Sequence, residues 1–462
     1  MNNTFTSNEG NEFKTVETAA GTNHFVLEPV SIEPPPPPPS SEIFTLPIDN
    51  YLANKAQPMN LGTSTLYYNG KTFNFHVLDY SNGDNNKGVV VEYDGINDPI
   101  YEFVGTGTPY PDVWNHPGLS GVILNDGTIV CAQINGHNAD INIHVFNTPG
   151  TILGGYTSYS ITGFASGGKY SYPNLFLDNG VLRIFTRVMS VKGGGKNYSQ
   201  AILTKGATFN DWDFKLVTKS TYNDTTNPSN IRHYPHKLTN HGVNNYHYFL
   251  VNMHFDGTNG VYPKQTRAVA LYKTDDFVNY SNYDGTFSKS NNNTHQNNGL
   301  GGLKHDELQD NCIVYGSTIE ADSNTGHGRG CVINDEAFIM TAKQGEALGQ
   351  IVKVTGTGIT YHDLQIPGFV VNPSISGGTS PKAHIYSNRN LDKLIILVEM
   401  TECEMWEVSL DLLTWAKVYT FAEGSRYGLP SNYEDIPTGF NYMVSGGNTN
   451  GEFKALLTNQ IY

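Results

Sequence analysis

The chain has 462 residues, of which 38% are hydrophobic and only 15% charged, and it is rich in Gly, Asn, Ser, Thr and Tyr. That mix favours many short strands and turns over long solvated helices. The formal charge of −15 argues against a broad nucleic-acid footprint, which needs clustered Lys and Arg, while leaving room for a few cations to dominate one funnel.

Residues 1–33 are polar and weakly patterned, apart from the short run His24-Phe25-Val26-Leu27. Met1 to Ala20 shows no basic segment followed by an apolar core, so no secretory signal is expected there. The segment reads as a short extended arm suited to attachment to a larger assembly. Pro34 to Pro39 is an unbroken hexaproline, a stiff polyproline II rod of about 3.1 Å per residue, and residues 34–42 form the linker. Residues 43–462 then form one large all-β domain. No apolar run is long enough for a membrane-spanning helix. Four cysteines (Cys131, Cys312, Cys331 and Cys403) are too few for a disulfide framework at this size.

From about Ile43 the pattern becomes short strands bounded by turn signals. Thr65-Leu66-Tyr67-Tyr68, Asn69-Gly70 and Thr72 to Leu78 read as a hairpin. Gly121 to Leu124 and Thr128 to Cys131 flank Asn125-Asp126-Gly127, and Leu175 to Leu177 and Val181 to Phe185 flank Asp178-Asn179-Gly180. No long segment has helical periodicity. A second signature recurs at Thr274, Asp276 and Tyr280 and at Ser409, Asp411 and Trp415: a hydroxyl two residues before Asp and an aromatic four after it. Phe209-Asn210-Asp211-Trp212 keeps the tail of the pattern. The three aromatics are spaced by nearly one and then two equal periods, as stacked propeller blades require. Tandem sandwich domains would not need the same turn at that period.

The chemistry-bearing residues gather between Asn115 and Arg187. Asn115-His116-Pro117, Asn135-Gly136-His137, Tyr170-Ser171-Tyr172-Pro173-Asn174 and Arg187 each sit at the lip of a short apolar strand. Imidazole, phenol and guanidinium placed together suit abstraction of a proton beside a carboxylate. These runs, with Leu124-Asn125-Asp126-Gly127 and Phe185-Thr186-Arg187, resemble BNR-4-type propeller proteins, and among them most the ulvan lyases. The resemblance spans roughly residues 60–420 and implies a seven-bladed β-propeller with catalysis on one face of the funnel. It places a tyrosine and a histidine in the proton-transfer roles, mapping onto Tyr172 and His116 with His137 beside them.

β-Elimination from a 4-linked uronate needs the carboxylate neutralised, a base near C5 and a proton donor for the leaving oxygen. Arg187 can neutralise a carboxylate with its bidentate fork. Tyr172 or a neutral histidine can be the base, and Tyr170 is an alternative, because strand alternation puts both tyrosines on one face. Asn174, Tyr234, His236 and His247 are candidates for binding sugar hydroxyls, sulfate or carboxylate. Within Gly326-His327-Gly328-Arg329-Gly330, Arg329 can face an anionic ligand. His305, Cys312, His327 and Cys331 offer ligands for a structural zinc or calcium, although their spacing matches no standard finger. The elimination itself requires no cofactor.

Phosphate-loop, His-Glu-x-x-His and Gly-x-Ser-x-Gly motifs are absent. The adjacent acids Asp306/Glu307, Asp335/Glu336 and Glu434/Asp435 would point to opposite faces of a strand, which defeats a glycosidase pair. The leading expectation is therefore a lyase acting on an acidic, uronate-containing polysaccharide, with or without sulfate, such as ulvan. A different class competes with it: a non-catalytic glycan-binding attachment protein, for example a phage tail fibre or spike tip. The proline rod and the N-terminal arm favour that second class, and an extracellular or virion-associated setting fits both. A propeller that mediates only protein contacts is the third.

Overall fold

The structure is a computed structural model. It describes residues 4–6, 12–17, 25–29, 42–45, 65–78, 87–105, 118–134, 140–162, 169–192, 195–220, 230–242, 244–256, 267–291, 302–316, 328–342, 349–369, 383–388, 390–400, 403–421, 435–437, 440, 442–447 and 453–458. The chain divides into two compact units, Met1–Ser41 and Glu42–Tyr462. The first, expected as an extended arm, carries a three-stranded antiparallel sheet of Thr4–Thr6, Glu12–Glu17 and Phe25–Pro29.

The second unit is an all-β propeller, and its blade count corrects the expectation of seven. Among the described residues there are six four-stranded blades. Blade 1 runs Thr65–Tyr68, Lys71–Leu78, Lys87–Tyr93 and Ile100–Val104. Blade 2 runs Gly118–Ile123, Ile129–Ile134, Ile141–Phe146 and Tyr156–Ile161. Blade 3 follows with Lys169–Asp178, Val181–Lys192, Gly195–Lys205 and Trp212–Lys219. Asn230–Lys237, His247–Asp256, Arg267–Thr274 and Asn279–Asn282 form blade 4. Blade 5 is Arg329–Ile333, Glu336–Ala342, Gly349–Thr355 and Gly358–Asp363. Blade 6 is Ala383–Ser387, Lys393–Glu399, Cys403–Ser409 and Trp415–Phe421. After Phe421 the described residues supply only two strands, Tyr442–Gly447 and Phe453–Thr458, and these join Glu42–Thr45 in a three-stranded sheet. That sheet lies against blade 1.

Sequence chemistry explains the blades. Asn69-Gly70 and Asn179-Gly180 both adopt positive φ, the geometry of the tight hairpin turn that Asn-Gly favours. Asp276 and Asp411 each cap the turn between third and fourth strands by accepting backbone N–H bonds, from Val278 and Asn279 (both 2.7 Å) and from Leu413 (3.0 Å). The next residue, Phe277 or Leu412, is left-handed. Its carbonyl then accepts a bond from the recurring aromatic, Tyr280 (3.3 Å) or Trp415 (2.9 Å). Blade 3 keeps the last step, Trp212 donating to the Phe209 carbonyl at 2.7 Å. The aromatics thus fall in blades 3, 4 and 6, one and then two blades apart. Blade 1 has an Asp turn too, at Asp94.

Second and third strands are buried, as in Ile129–Ile134, while fourth strands such as Tyr156–Ile161 and Gly358–Asp363 face solvent. First strands of blades 1 and 2, 2 and 3, 3 and 4, and 5 and 6 contact one another, so they form the inner ring. Blades 3 and 4 are further joined into one sheet by a parallel pairing of Tyr198 with Arg232. One short helix, His305–Asn311, is described, and Asp306 and Glu307 open it instead of lying on a strand. Among the described residues no helix is long and apolar enough to cross a membrane.

Candidate functional site

The first strand of blade 3 would alternate regularly but for Pro173. Proline has no N–H to give to a ladder, and in strands it marks edges or bulges. The register shifts between Ser171 and Asn174, and Tyr172 takes φ 58°, an uncommon conformation for a bulky residue that favours a special role. The bulge separates the two tyrosines that alternation would have kept together. Tyr170 lies opposite Val188 and packs with it in the core that joins blades 2 and 3. Burial there, then the nearby Asp140 charge, pushes its phenol well above the usual range. Tyr172 instead turns towards blade 4 and packs on Tyr234, with ring centroids 5.7 Å apart.

Arg187 sits opposite Ser171, and its Nε donates to Ser171 Oγ at 2.8 Å. Its guanidinium lies over three phenol rings: Tyr198 at 4.3 Å, Tyr172 at 4.5 Å and Tyr234 at 4.7 Å. Desolvated cation–π contacts of this kind contribute about 2 kcal/mol each. Arg187 is 0% exposed and Tyr172 2%, so the box is closed to solvent as it stands. Asn174 follows the bulge, buried opposite Phe185. Three of the sequence candidates, Tyr172, Arg187 and Tyr234, therefore converge. Tyr198 and Ser171 complete the box and were missed. The signal for Tyr198 was available in its place just after the glycine run Gly193-Gly194-Gly195, close in sequence to Arg187.

Gln200 lies opposite Arg187 on the third strand. Its Nε2 donates to the Tyr234 and Leu250 carbonyls (3.2 and 3.1 Å), and its Oε1 accepts from Tyr272 Oη (3.0 Å). Its backbone N–H bonds Thr218 Oγ1 at 3.0 Å, which in turn lies 3.0 Å from His233 Nδ1. His233 Nε2 is 3.2 Å from His305 Nδ1. Burial, and then His305, hold the His233 imidazole well below its usual pKa, and burial brings His305 down to about 4. Both are neutral near pH 7. This internal chain fixes the junction of blades 3 and 4 on which the tyrosine box stands.

A second convergence involves blades 4, 5 and 6. Arg329 opens the first strand of blade 5 and lies 3.1 Å from His384 Nε2, with the Gly330 N–H aimed at His236 Nε2 at 3.5 Å. His236 and Arg329 were expected in a binding role; His384 was missed, although Ala383-His384-Ile385-Tyr386 alternates rings with small and apolar residues. His247 belongs elsewhere. It starts the second strand of blade 4, five residues or about 17 Å along the strand from Asn252, the partner of Tyr234. There it bonds Asp178 at 3.1 Å beside the Arg183–Asp178 ion pair, and burial, then Lys237, lower its pKa to about 4.

The proposed metal ligands do not assemble among the described residues, which hold no group of three or more His, Cys, Asp or Glu side chains suited to an ion. Cys312 packs in the core around Phe176 and Phe249, with its thiol pushed up to about 12 by burial, then by Glu307. Cys331 packs in a different core, with Ile385 and Trp406. His305 bonds His233. His116, His137 and His327 lie outside the described residues.

No family model and no curated protein matches the sequence. Solved structures do. One described as a new family of polysaccharide lyase, PL25 ulvan lyase, has a TM-score of 0.60 at 12% identity, over 89% of this chain and 94% of that one. The polysaccharide lyase Uly1 has a TM-score of 0.59 at 12% identity, over 89% and 92%. The chain shares their β-propeller fold. At this identity the likeness carries the fold alone.

Proposed function

We propose that the protein is a polysaccharide lyase acting on an acidic, uronate-containing glycan by β-elimination. The observation that supports this best is the assembly of Tyr172, Arg187 and Tyr234 in one box, with Tyr172 held in a strained backbone conformation. The terminal nitrogens of Arg187 are the fork that would neutralise the uronate carboxylate and acidify the C5 proton. Tyr172, on the face of that cation, would move the proton, with His116 as its partner and His137 alongside. Because Arg187 is fully buried, substrate reaches it only after the groups that cover it move. The two similar solved structures are lyases by name, which agrees with the proposal. No cofactor is needed for the elimination, and an extracellular or virion-borne setting belongs to the same proposal.

One observation favours a second reading: a buried guanidinium beneath three rings from two blades is also how a propeller would brace them. A non-catalytic glycan-binding protein would then use the inner ring for recognition only. The test is a panel of polyuronates followed by ultraviolet absorbance of the unsaturated product, with Tyr172→Phe beside the wild type. Loss of at least about 100-fold in turnover at unchanged melting temperature is expected, in line with removal of a positioned proton-transfer group. Binding without any product, indifferent to Tyr172→Phe, would establish the second reading instead.

A further inference from the structure

We propose that Arg329, His384 and His236 form a second anion subsite, which takes another acidic group of the same glycan chain. This deepens the glycan-active reading above and rests on it. The three side chains come from first strands of three successive blades, Asn230–Lys237, Arg329–Ile333 and Ala383–Ser387, and so from the inner ring.

The mounting of Arg329 is built, not incidental. Asn252 clamps the preceding residue from both sides: its Oδ1 accepts from the Gly328 N–H at 2.7 Å and its Nδ2 donates to the Gly328 carbonyl at 3.3 Å. On the other side Gly330 lets two strands close, since a Cβ there would lie 2.2 Å from the Phe338 carbonyl oxygen. Arg329 is thus held between two fixed glycines. Arg329 Nη1 lies 3.3 Å from Nδ1 and 3.1 Å from Nε2 of His384, so this imidazole holds the guanidinium in place. The Gly330 N–H donates to His236 Nε2 at 3.5 Å, which ties the second imidazole to the same strand. Arg329 keeps its charge at any working pH, so the cluster is a permanent cation framed by two partly exposed imidazoles.

The cluster is also wired to the first site. Asn252, the clamp, lies directly opposite Tyr234, and Tyr234 is a wall of the Arg187 box. Arg187 in blade 3 and Arg329 in blade 5 therefore flank blade 4. A glycan whose acidic groups repeat along its length would present one to each. A disaccharide bearing one acidic group would engage one.

The test measures calorimetric affinity for a uronate disaccharide and tetrasaccharide, the latter with and without sulfate, on the wild type, Arg329→Gln and Arg329→Lys. The wild type should prefer the tetrasaccharide by about tenfold or more, equivalent to about 1.4 kcal/mol, and lose that preference as salt rises. Arg329→Gln should collapse the ratio towards one, and Arg329→Lys, which keeps charge and bulk, should retain most of it. Collapse only with the sulfated chain identifies sulfate as the second group; collapse with both identifies carboxylate. A length preference equal in all three proteins, or no salt dependence in the wild type, overturns the subsite. Length-dependent binding that needs Arg329 but yields no unsaturated product leaves the subsite standing and removes only the lyase chemistry.

Discussion

Acid should unfold this propeller through histidines that the fold keeps neutral, and His144 isolates one such contribution. It is 2% exposed on the third strand of blade 2. Gln133 Oε1 can only accept, so the proton sits on Nε2 at 2.9 Å, and Nδ1 accepts from Ser158 Oγ at 2.8 Å. Burial lowers its pKa from 6.5 to about 4. The sign follows directly. Between pH 6.5 and 4 the unfolded chain binds a proton that the folded chain refuses, so stability falls as pH falls. For one group with these two values the loss from pH 7 to pH 5 is about 2 kcal/mol. His76, lowered to about 3, and His305, lowered to about 4, act in the same direction. Replacing His144 with Gln removes its share. The variant should be about 1–2 kcal/mol less stable than the wild type at pH 7, from disturbed hydrogen bonds, yet about equal to it at pH 5. Urea unfolding at both pH values measures this. An offset that is the same at pH 7 and pH 5 would refute the reasoning, because a purely structural loss has no pH dependence.

Two other substitutions probe the scaffold. Gln200→Leu strips partners from two buried carbonyls and one phenol, so urea unfolding should show a loss of about 4 kcal/mol; a loss below about 1 kcal/mol would mean that the blade 3–4 junction does not depend on it. Gly330→Ala forces a methyl against the backbone oxygen of Phe338, which cannot rotate away. It should cost about 3 kcal/mol, read as a lowered melting temperature, and an unchanged melting temperature would show that the strands part freely.

Local chemistry was legible in the sequence wherever it acts over a few residues. The Asn69-Gly70 and Asn179-Gly180 turns, and the Asp turns at Asp276 and Asp411, need only their own neighbours, and their spacing revealed the blade period. The tyrosine box was half legible. Tyr172, Arg187 and Tyr234 were named, but alternation misplaced Tyr170 because it ignored Pro173, whose missing N–H was the cue for a bulge. The other contacts made across blades were not legible. The pairing of Tyr198 with Arg232, the meeting of His233 with His305 and the approach of His384 to Arg329 depend on how blades stack. The blade count failed for a related reason: the resemblance implied a number, whereas the two strands described after Phe421 are too few to build another four-stranded unit.

The sheet made from Glu42–Thr45 and the two strands of residues 442–458 has a kinetic meaning. Its pairing joins positions about 410 residues apart, yet loop-closure entropy grows only with the logarithm of length, so the seam is cheap to hold once formed. It is slow to find, since non-local pairings form late. During synthesis each blade can close on its own hairpins as it emerges, while Glu42–Thr45 must wait with an unsatisfied edge until Phe453–Thr458 is made. That sheet therefore forms in a single late event, and the interval before it is when an exposed strand edge is open to a wrong partner.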